Sequence, residues 1–99
     1  MALEIIWSQE ADNNLAAIIS YLENNWTEKE LKKFASILEE KINLIAEYPL
    51  SGKQSQRLHG TRECILTKHN TLFYVVNKTN LYIVSIWDNR QNPDKLKQK

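Results

Sequence analysis

The sequence predicts an α+β domain in which a helical hairpin packs on one face of an antiparallel sheet, in the order β-α-α-β-β-β. Three observations predict this fold: a short β-branched run at the N-terminus, two amphipathic stretches of helical spacing in the first half, and three short apolar runs in the second half. The chain has 99 residues, 42% of them hydrophobic, with only two glycines and two prolines. We therefore expect a single ordered domain over residues 1–99.

The first strand and both helices are indicated by their residue types and spacing. Leu3–Trp7 is β-branched and aromatic, which favours a strand. Ser8 stands where the N-cap of a helix over 9–25 belongs. Thr27–Glu30 matches a capping box that begins a second helix, and Pro49 ends that helix. The apolar stripes comprise Ala11, Leu15, Ile18, Ile19, Leu22 and Trp26 in the first helix, and Leu31, Phe34, Ala35, Leu38, Ile42 and Ile45 in the second.

The second half of the chain is predicted to form a loop followed by a β-meander. Residues 50–60 are polar and contain both glycines, which is typical of a loop. Short turn-forming stretches then separate three strands, and consecutive strands with short turns predict an antiparallel meander. These strands are Glu63–Lys68, Leu72–Val76 and Leu81–Asp88. Beyond them, residues 91–99 are polar and basic, and Pro93 is placed to begin a short terminal helix.

Both faces of the predicted sheet carry apolar side chains. In Leu72–Val76 and Leu81–Asp88 the alternate positions on either side are mostly apolar or aromatic. A sheet with helices on one side only is expected to be polar on the other. The second apolar face therefore indicates a protein partner. The alternative is that the loop 50–60 and the C-terminal tail cover it.

Charge is divided unevenly along the chain, although the net charge is only +1. Residues 1–50 contain four lysines and nine acidic residues, whereas residues 51–99 contain nine lysines and arginines and three acidic residues. This asymmetry indicates an anionic partner for the second half. Two solvated faces of opposite sign would give the same pattern.

Several functional classes are excluded or disfavoured by the sequence. No glycine-rich nucleotide-binding motif is present, and His59 and His69 lack metal-ligand spacing, so we expect neither a metal nor another cofactor. Cys64 is the only cysteine, lies within a strand and is expected to be a small core residue. The N-terminus does not resemble a signal peptide, and no segment approaches the roughly 18 apolar residues of a membrane span. We therefore expect a cytoplasmic protein without membrane contact.

A group of basic and aromatic residues in the second half is suited to binding a target, a partner or RNA. Cationic side chains bind phosphate or carboxylate groups, and aromatic rings stack on bases. The group consists of Arg57, Arg62, Lys68, Tyr74, Tyr82, Trp87 and Arg90. A metal-free nuclease would use His69 for proton transfer, with Arg62 and Arg90 stabilising the reacting phosphate. A structural or partner-binding role for the arginines is the simpler interpretation.

The order and the sequences of these segments resemble the RelE/ParE superfamily of toxins. Members of this superfamily belong to bacterial type II toxin–antitoxin systems and include plasmid-stabilisation proteins. The opening LEIIWSQEADNNLAAIISYLENNW is similar to the first strand and helix of that family. The stretch GTRECILTKHNTLFYVVNKTNLYIVSIWDNRQNP is similar to its meander, and the resemblance covers about residues 3–96. It implies a cognate antitoxin as partner, whose C-terminal segment folds on binding, and is compatible with a homodimer or a heterotetramer with that antitoxin.

The resemblance implies two classes of activity. RelE-like members are ribosome-dependent endonucleases that cut mRNA, whereas ParE-like members poison DNA gyrase by binding. Thr71 stands where RelE-like enzymes often place an arginine, and the tail after Arg90 contains no Tyr or His. These departures favour the ParE-like branch, in which the protein is not an enzyme. The alternatives are an mRNA endonuclease acting through His69, Arg62 and Arg90, and an inactive member that only binds its antitoxin.

Overall fold

The computed structural model describes residues 3–89, which form a five-stranded sheet with two helices on one face. The α+β class and the predicted order β-α-α-β-β-β are confirmed, with one additional two-residue strand between the second helix and the last three strands. Arg90 and residues 91–99, with the terminal helix predicted at Pro93, lie outside the described residues. The elements are β1 (Glu4–Trp7), α1 (Gln9–Asn25), α2 (Glu28–Glu47), β2 (Lys53–Gln54), β3 (Arg62–Thr67), β4 (Asn70–Val76) and β5 (Asn80–Asp88).

The sheet is mixed, whereas the sequence predicted an antiparallel one. Its strand order is β1-β5-β4-β3-β2, and the meander β3-β4-β5 is antiparallel as expected. β1 pairs in parallel with β5, with Ile5 opposite Leu81 and Trp7 opposite Ile83. The alternation of residue types within a strand shows which face of the sheet each side chain lies on. It does not show whether the adjacent strand runs parallel or antiparallel. The two-residue strand β2 lies within the segment predicted as a loop and extends the other edge by pairing with β3.

Both helices begin at the capping residues that the sequence predicts. The Ser8 Oγ atom accepts a hydrogen bond from the Ala11 N–H at 2.9 Å and donates one to the Val84 carbonyl at 2.7 Å. The Thr27 Oγ1 atom accepts from the Glu30 N–H at 3.3 Å. Ser8 therefore fixes the start of α1 and also ties it to β5. Neither helix has the length and apolar character needed to cross a membrane, as far as residues 3–89 show.

The hydrophobic core lies between the two helices and one face of the sheet. The apolar stripes of α1 and α2 meet side chains from β3, β4 and β5, as the helical periodicity predicts. The most deeply buried core members from the sheet are Leu72, Tyr74, Leu81 and Ile83, each with no exposed surface. The helices contribute Ala11, Ile18, Phe34, Leu38, Ile42, Ile45 and Ala46.

The far end of β5 extends beyond β1 and is capped by side chains of α1. A bulge in the β4–β5 pairing leaves Val84 without a partner residue in β4. Beyond the bulge, the Ser85 hydroxyl donates to Glu10 Oε2 at 2.7 Å and lies 2.9 Å from Asn14 Oδ1. Asn14 Oδ1 also accepts from the Ile86 N–H at 2.9 Å. The helix thus satisfies polar groups at a sheet edge that β1 is too short to reach.

Candidate functional site

The sheet face opposite the helices carries the candidate site. The strand register places alternate residues of each strand on this face. We call it the open face and define it by Ile6, Glu63, Ile65, Thr71, Phe73, Val75, Tyr82 and Trp87. Because no helix of residues 3–89 packs on it, its side chains are the ones that a partner can reach, except where other parts of the chain cover them.

Arg57 extends from the loop after β2 over the open face and is held there by polar contacts. Its Nη2 atom lies 3.1 Å from Glu63 Oε1, and its Nε atom donates to Glu63 Oε2 at 3.4 Å. Nη2 also donates to Thr71 Oγ1 at 3.2 Å, and Nη1 donates to Asn89 Oδ1 at 3.1 Å. All three guanidinium nitrogens are therefore engaged, so this arginine is fixed in position by β3, β4 and the end of β5.

Two aromatic rings lie beneath the Arg57 guanidinium. The guanidinium carbon is 5.4 Å from the Phe73 ring centroid and 5.9 Å from that of Trp87. The two rings are 4.4 Å apart in a tilted arrangement. Phe73 has no exposed surface. Part of the second apolar face is thus covered from within the chain by a residue of the segment 50–60, and cation–π attraction adds to that cover.

The carboxylate of Glu63 is buried but remains charged near neutral pH. Burial by itself raises the pKa of Glu63, but hydrogen bonds from Arg57 and Ser55 and the positive charges of Arg57 and Lys53 outweigh it. The pKa of Glu63 consequently lies below its ordinary value. Ser55 Oγ donates to Glu63 Oε2 at 2.6 Å, so the carboxylate is well supplied with donors. Arg57 and Glu63 form an ion pair that neutralises much of the positive charge at this point.

Beside the ion pair is a groove of about 500 Å³ on the open face. Its rim carries three cationic side chains, Lys53, Arg57 and Lys68, together with Gln54 and Gln56. Glu63 is the one carboxylate among the residues that line it, and that carboxylate is paired with Arg57. The groove is therefore suited to carboxylate groups of a partner more than to a catalytic reaction.

The comparisons with known proteins agree with this architecture. The sequence profile of the family described as "ParE toxin of type II toxin-antitoxin system, parDE" matches residues 5–93. This chain belongs to that family. It is a type II toxin of the RelE/ParE superfamily, as the sequence predicted. No curated protein sequence is significantly similar to it.

Solved structures share the fold of this ParE-family toxin at low sequence identity. A protein of the chromosomal ParDE toxin–antitoxin system of P. aeruginosa has 17% identity and a TM-score of 0.72, over 88% of this chain and 96% of that chain. The YoeB dimer of Staphylococcus aureus has 19% identity and a TM-score of 0.60, over 88% and 97% of the two chains. The E. coli DinJ–YafQ complex has 13% identity and a TM-score of 0.57, over 88% and 93%.

The structure brings four of the predicted binding residues of the toxin to the open face or its groove. Arg57 and Trp87 contact each other, and Lys68 lies on the groove rim in the turn between β3 and β4. Tyr82 is also on the open face, but its hydroxyl accepts from Asn80 Nδ2 at 3.2 Å near the opposite end of β5. Arg90 was predicted as a member of the same binding group and lies outside the described residues.

Arg62 and Tyr74 lie on the helical face of the toxin and hold the segment before β2. The Tyr74 hydroxyl donates to the Pro49 carbonyl at 2.9 Å and accepts from the Gly52 N–H at 3.0 Å. Arg62 Nη1 donates to the Gly52 carbonyl at 2.6 Å. Tyr74 is completely buried, and burial raises its pKa, so its ring offers no stacking surface and its hydroxyl stays neutral. The prediction of a stacking role for Tyr74 therefore does not hold.

His69 and Arg62, two of the three residues predicted for nuclease chemistry, do not line the same groove of the toxin. His69 lines a separate groove beside the ends of the helices, whereas Arg62 lines one next to Gly60 and Thr61. Neither residue lines the open-face groove. Cys64 packs against the core, and burial raises the pKa of its thiol, which disfavours the nucleophilic thiolate.

Sequence reasoning missed three residues that form the site: Glu63, Phe73 and Asn89. Glu63 carried a usable signal, because it is an acidic residue in a predicted strand of an otherwise basic half, six positions after Arg57. A charged residue at a sheet position is seldom buried unless it is paired. Asn89 carried no comparable signal, since its contact with Arg57 depends on how the loop folds back over the sheet.

Proposed function

We propose that this toxin inhibits growth by binding DNA gyrase, as ParE-like toxins do, and that it does not cleave RNA. The proposal includes neutralisation by a cognate antitoxin and a cytoplasmic location, where both partners are available. The observation that carries it is the ion pair of Arg57 with the buried carboxylate of Glu63 on the open face. Membership of the ParE family supports the same branch.

The ion pair argues against RNA cleavage on this surface. A metal-free nuclease needs cationic groups that are free to stabilise the reacting phosphate and a side chain that transfers a proton. Arg57 already donates to Glu63, Thr71 and Asn89. Among the residues that line the open-face groove within 3–89 there is no histidine or tyrosine. The residues that line the groove therefore support a role in binding over a role in RNA cleavage.

The antitoxin is proposed to cover the same groove. Lys53, Lys68 and the partly exposed Arg57 offer positive charge to the carboxylates of an acidic segment. A segment that folds on binding can follow a surface of this kind closely. While bound, it keeps the target away from the open face, which explains neutralisation by direct competition.

The decisive experiment adds the purified toxin to ATP-dependent supercoiling by purified DNA gyrase. We expect supercoiling to fall with toxin concentration, cleaved DNA to accumulate, and equimolar antitoxin to restore the reaction. Unchanged supercoiling at large molar excess of toxin contradicts the proposal.

A parallel reaction separates the other two hypotheses. The same toxin preparation is added to a translation extract, and the 5′ ends of the mRNA are mapped. We expect no new 5′ ends, whereas new toxin-dependent ends establish the ribosome-dependent endonuclease. If neither reaction responds and expression without antitoxin is harmless, the protein is the inactive family member that only binds its antitoxin.

A further inference from the structure

A groove between the ends of the helices and the β3–β4 turn is lined mainly by apolar side chains. It has a volume of about 380 Å³, which lies within the range of roughly 300–1,000 Å³ found for small-molecule sites. Several of the side chains that line it are buried members of the core, so the groove is continuous with the core. We call it the helix-end groove and define it by Ile18, Leu22, Trp26, Phe34, Leu66 and Asn70.

Asn70, one of the side chains that line this groove, is buried with an unpaired donor. It is 6% exposed and lies on the helical face of β4, on the same side as Leu72 and Tyr74. Its Nδ2 atom has no hydrogen-bond partner among residues 3–89. Buried side-chain donors are paired in the large majority of cases in folded proteins. This donor therefore indicates an acceptor that comes from outside residues 3–89.

The contacts of Thr67 fix the orientation of the Asn70 amide. Thr67 Oγ1 accepts from the His69 N–H at 3.1 Å and from the Asn70 N–H at 3.2 Å. Its hydroxyl hydrogen is left to donate to Asn70 Oδ1 at 3.1 Å. If the amide were reversed, its NH₂ group would face a hydroxyl whose two lone pairs are already engaged. The unpaired donor is therefore the NH₂ group, on the side of the amide away from Thr67.

The other side chains of the groove favour an uncharged aromatic ligand. Trp26 is 51% exposed and offers an aromatic surface beside the apolar lining. The lining also includes equal numbers of lysines and carboxylates, namely Lys33, Lys68, Glu30 and Asp88. Because these charges balance, they favour neither an anion nor a cation. The apolar lining and the single unpaired donor therefore determine the ligand chemistry.

We propose that the helix-end groove binds a small, uncharged aromatic compound that carries a carbonyl group. The ring packs among Leu22, Trp26 and Phe34, and the carbonyl oxygen accepts a hydrogen bond from Asn70 Nδ2. The site is distinct from the open-face groove, since it lies on the helical side of the sheet. The inference goes beyond the proposed function, because it requires neither gyrase nor an antitoxin.

Two probes that differ in one group test for this ligand class. Acetophenone carries a ring and a carbonyl, and α-methylstyrene has a CH₂ group in place of the carbonyl oxygen. Each probe is titrated into the full-length toxin, and binding is followed by nuclear magnetic resonance of the backbone and side-chain amides. We expect millimolar acetophenone to shift the signals of the groove residues and of the Asn70 side-chain amide. If these signals do not move, the inference is overturned.

The same titrations with Asn70→Asp separate the hydrogen bond from the difference in hydrophobicity between the probes. This substitution keeps an acceptor for the Thr67 hydroxyl but replaces the NH₂ donor with an oxygen. The affinity for acetophenone relative to α-methylstyrene is expected to fall by about tenfold in the variant. An unchanged ratio would show that Asn70 Nδ2 does not bind the carbonyl, which overturns the inference.

Two exposed aromatic residues test the position of the site without changing Asn70. Trp26 and Tyr48 are the C-cap residues of α1 and α2, and Trp26 lines the groove whereas Tyr48 does not. Trp26→Ala is expected to weaken acetophenone binding by about tenfold, because an aromatic contact is lost, and Tyr48→Ala to leave it unchanged. Circular dichroism verifies that the variants remain folded. Equal affinities of the two alanine variants overturn the assignment of the groove.

Spectra of the free toxin identify any occupant that the toxin itself supplies. Groove signals that shift with toxin concentration, without a probe, show that a second copy occupies the groove. Nuclear Overhauser contacts between the groove side chains and residues 90–99 show that the end of the same chain occupies it. Either result overturns the inference. Both leave the proposed binding of gyrase and antitoxin unaffected, because those partners are assigned to the open face.

Discussion

Glu63 and Arg57 determine the chemical character of the open face. Glu63 accepts hydrogen bonds from both Arg57 and Ser55 and is almost fully buried. Arg57 is 39% exposed at its side chain, so water partly screens the pair. The pair therefore orients the arginine over Phe73 and Trp87 more than it stabilises the fold.

We predict that Glu63→Gln lowers the free energy of unfolding by about 1–2 kcal/mol at pH 7, because a charged acceptor of three hydrogen bonds is lost. Urea denaturation measures the change. Glu40→Gln is the matched control, since Glu40 is exposed on α2. Equal stabilities of the two variants would show that the Glu63 contacts contribute nothing.

The difference in stability between the wild type and Glu63→Gln is expected to depend on pH. The sign of this dependence follows from the lowered pKa of Glu63. A group whose pKa is lower in the folded state stabilises the fold above its unfolded pKa, which is about 4.3 for glutamate. That contribution is lost as the pH falls from there through the folded-state pKa. The stability difference between wild type and Glu63→Gln should therefore shrink below about pH 4.3. A difference that is constant from pH 7 to pH 3 contradicts the assignment.

Gly52 is required by close packing, whereas Gly60 is required by its backbone. A Cβ at position 52 would overlap the Tyr74 hydroxyl and the Glu63 carbonyl oxygen. Gly60 has φ +86°, with open space where a Cβ would lie. We expect Gly52→Ala to lower the free energy of unfolding by about 1–3 kcal/mol through overpacking. Gly60→Asn should cost less, because asparagine tolerates a positive φ. Thermal denaturation compares them, and the reverse order would contradict this account.

Among the elements, the helices were predicted most accurately and the sheet least. The predicted helix over 9–25 coincides with α1, because Ser8 and the apolar stripe mark the helix within its own sequence. Two features of the sheet were missed: the parallel pairing of β1 and the strand Lys53–Gln54. Both features depend on which strand, distant in sequence, pairs with the segment in question. The residues that neighbour a segment in sequence do not specify its pairing partner.

The cap of α1 on the end of β5 gives a prediction at the level of elements. Asn14 accepts from the Ile86 N–H, whereas the adjacent Asn13 only accepts from Gln9 on the exposed side of the same helix. We expect Asn14→Ala to destabilise the fold by about 1–2 kcal/mol and Asn13→Ala to have little effect. Exchange of the Ile86 amide should accelerate in Asn14→Ala only. Similar exchange rates in both variants would show that the helix does not cap β5.

For the molecule as a whole, the sequence predicted the α+β fold and the superfamily of the toxin, but it identified only some of the residues that form the candidate site. Arg57 and Trp87 were predicted as members of one binding group, and the structure brings them into contact and adds the buried partner Glu63. Arg62 and Tyr74 were predicted as members of the same group because they are basic and aromatic, yet the strand register directs them to the helical face. Residue type alone does not encode the face when both faces are apolar.

The most direct test of the account is the binding of purified DNA gyrase to the toxin, measured by calorimetry with and without prebound antitoxin. We expect the free toxin to bind gyrase and the toxin–antitoxin complex not to bind, because the antitoxin is proposed to occupy the open face. Absence of binding by the free toxin, or equal binding by the complex, would contradict the central claim that this face acts by binding gyrase and is blocked by the antitoxin.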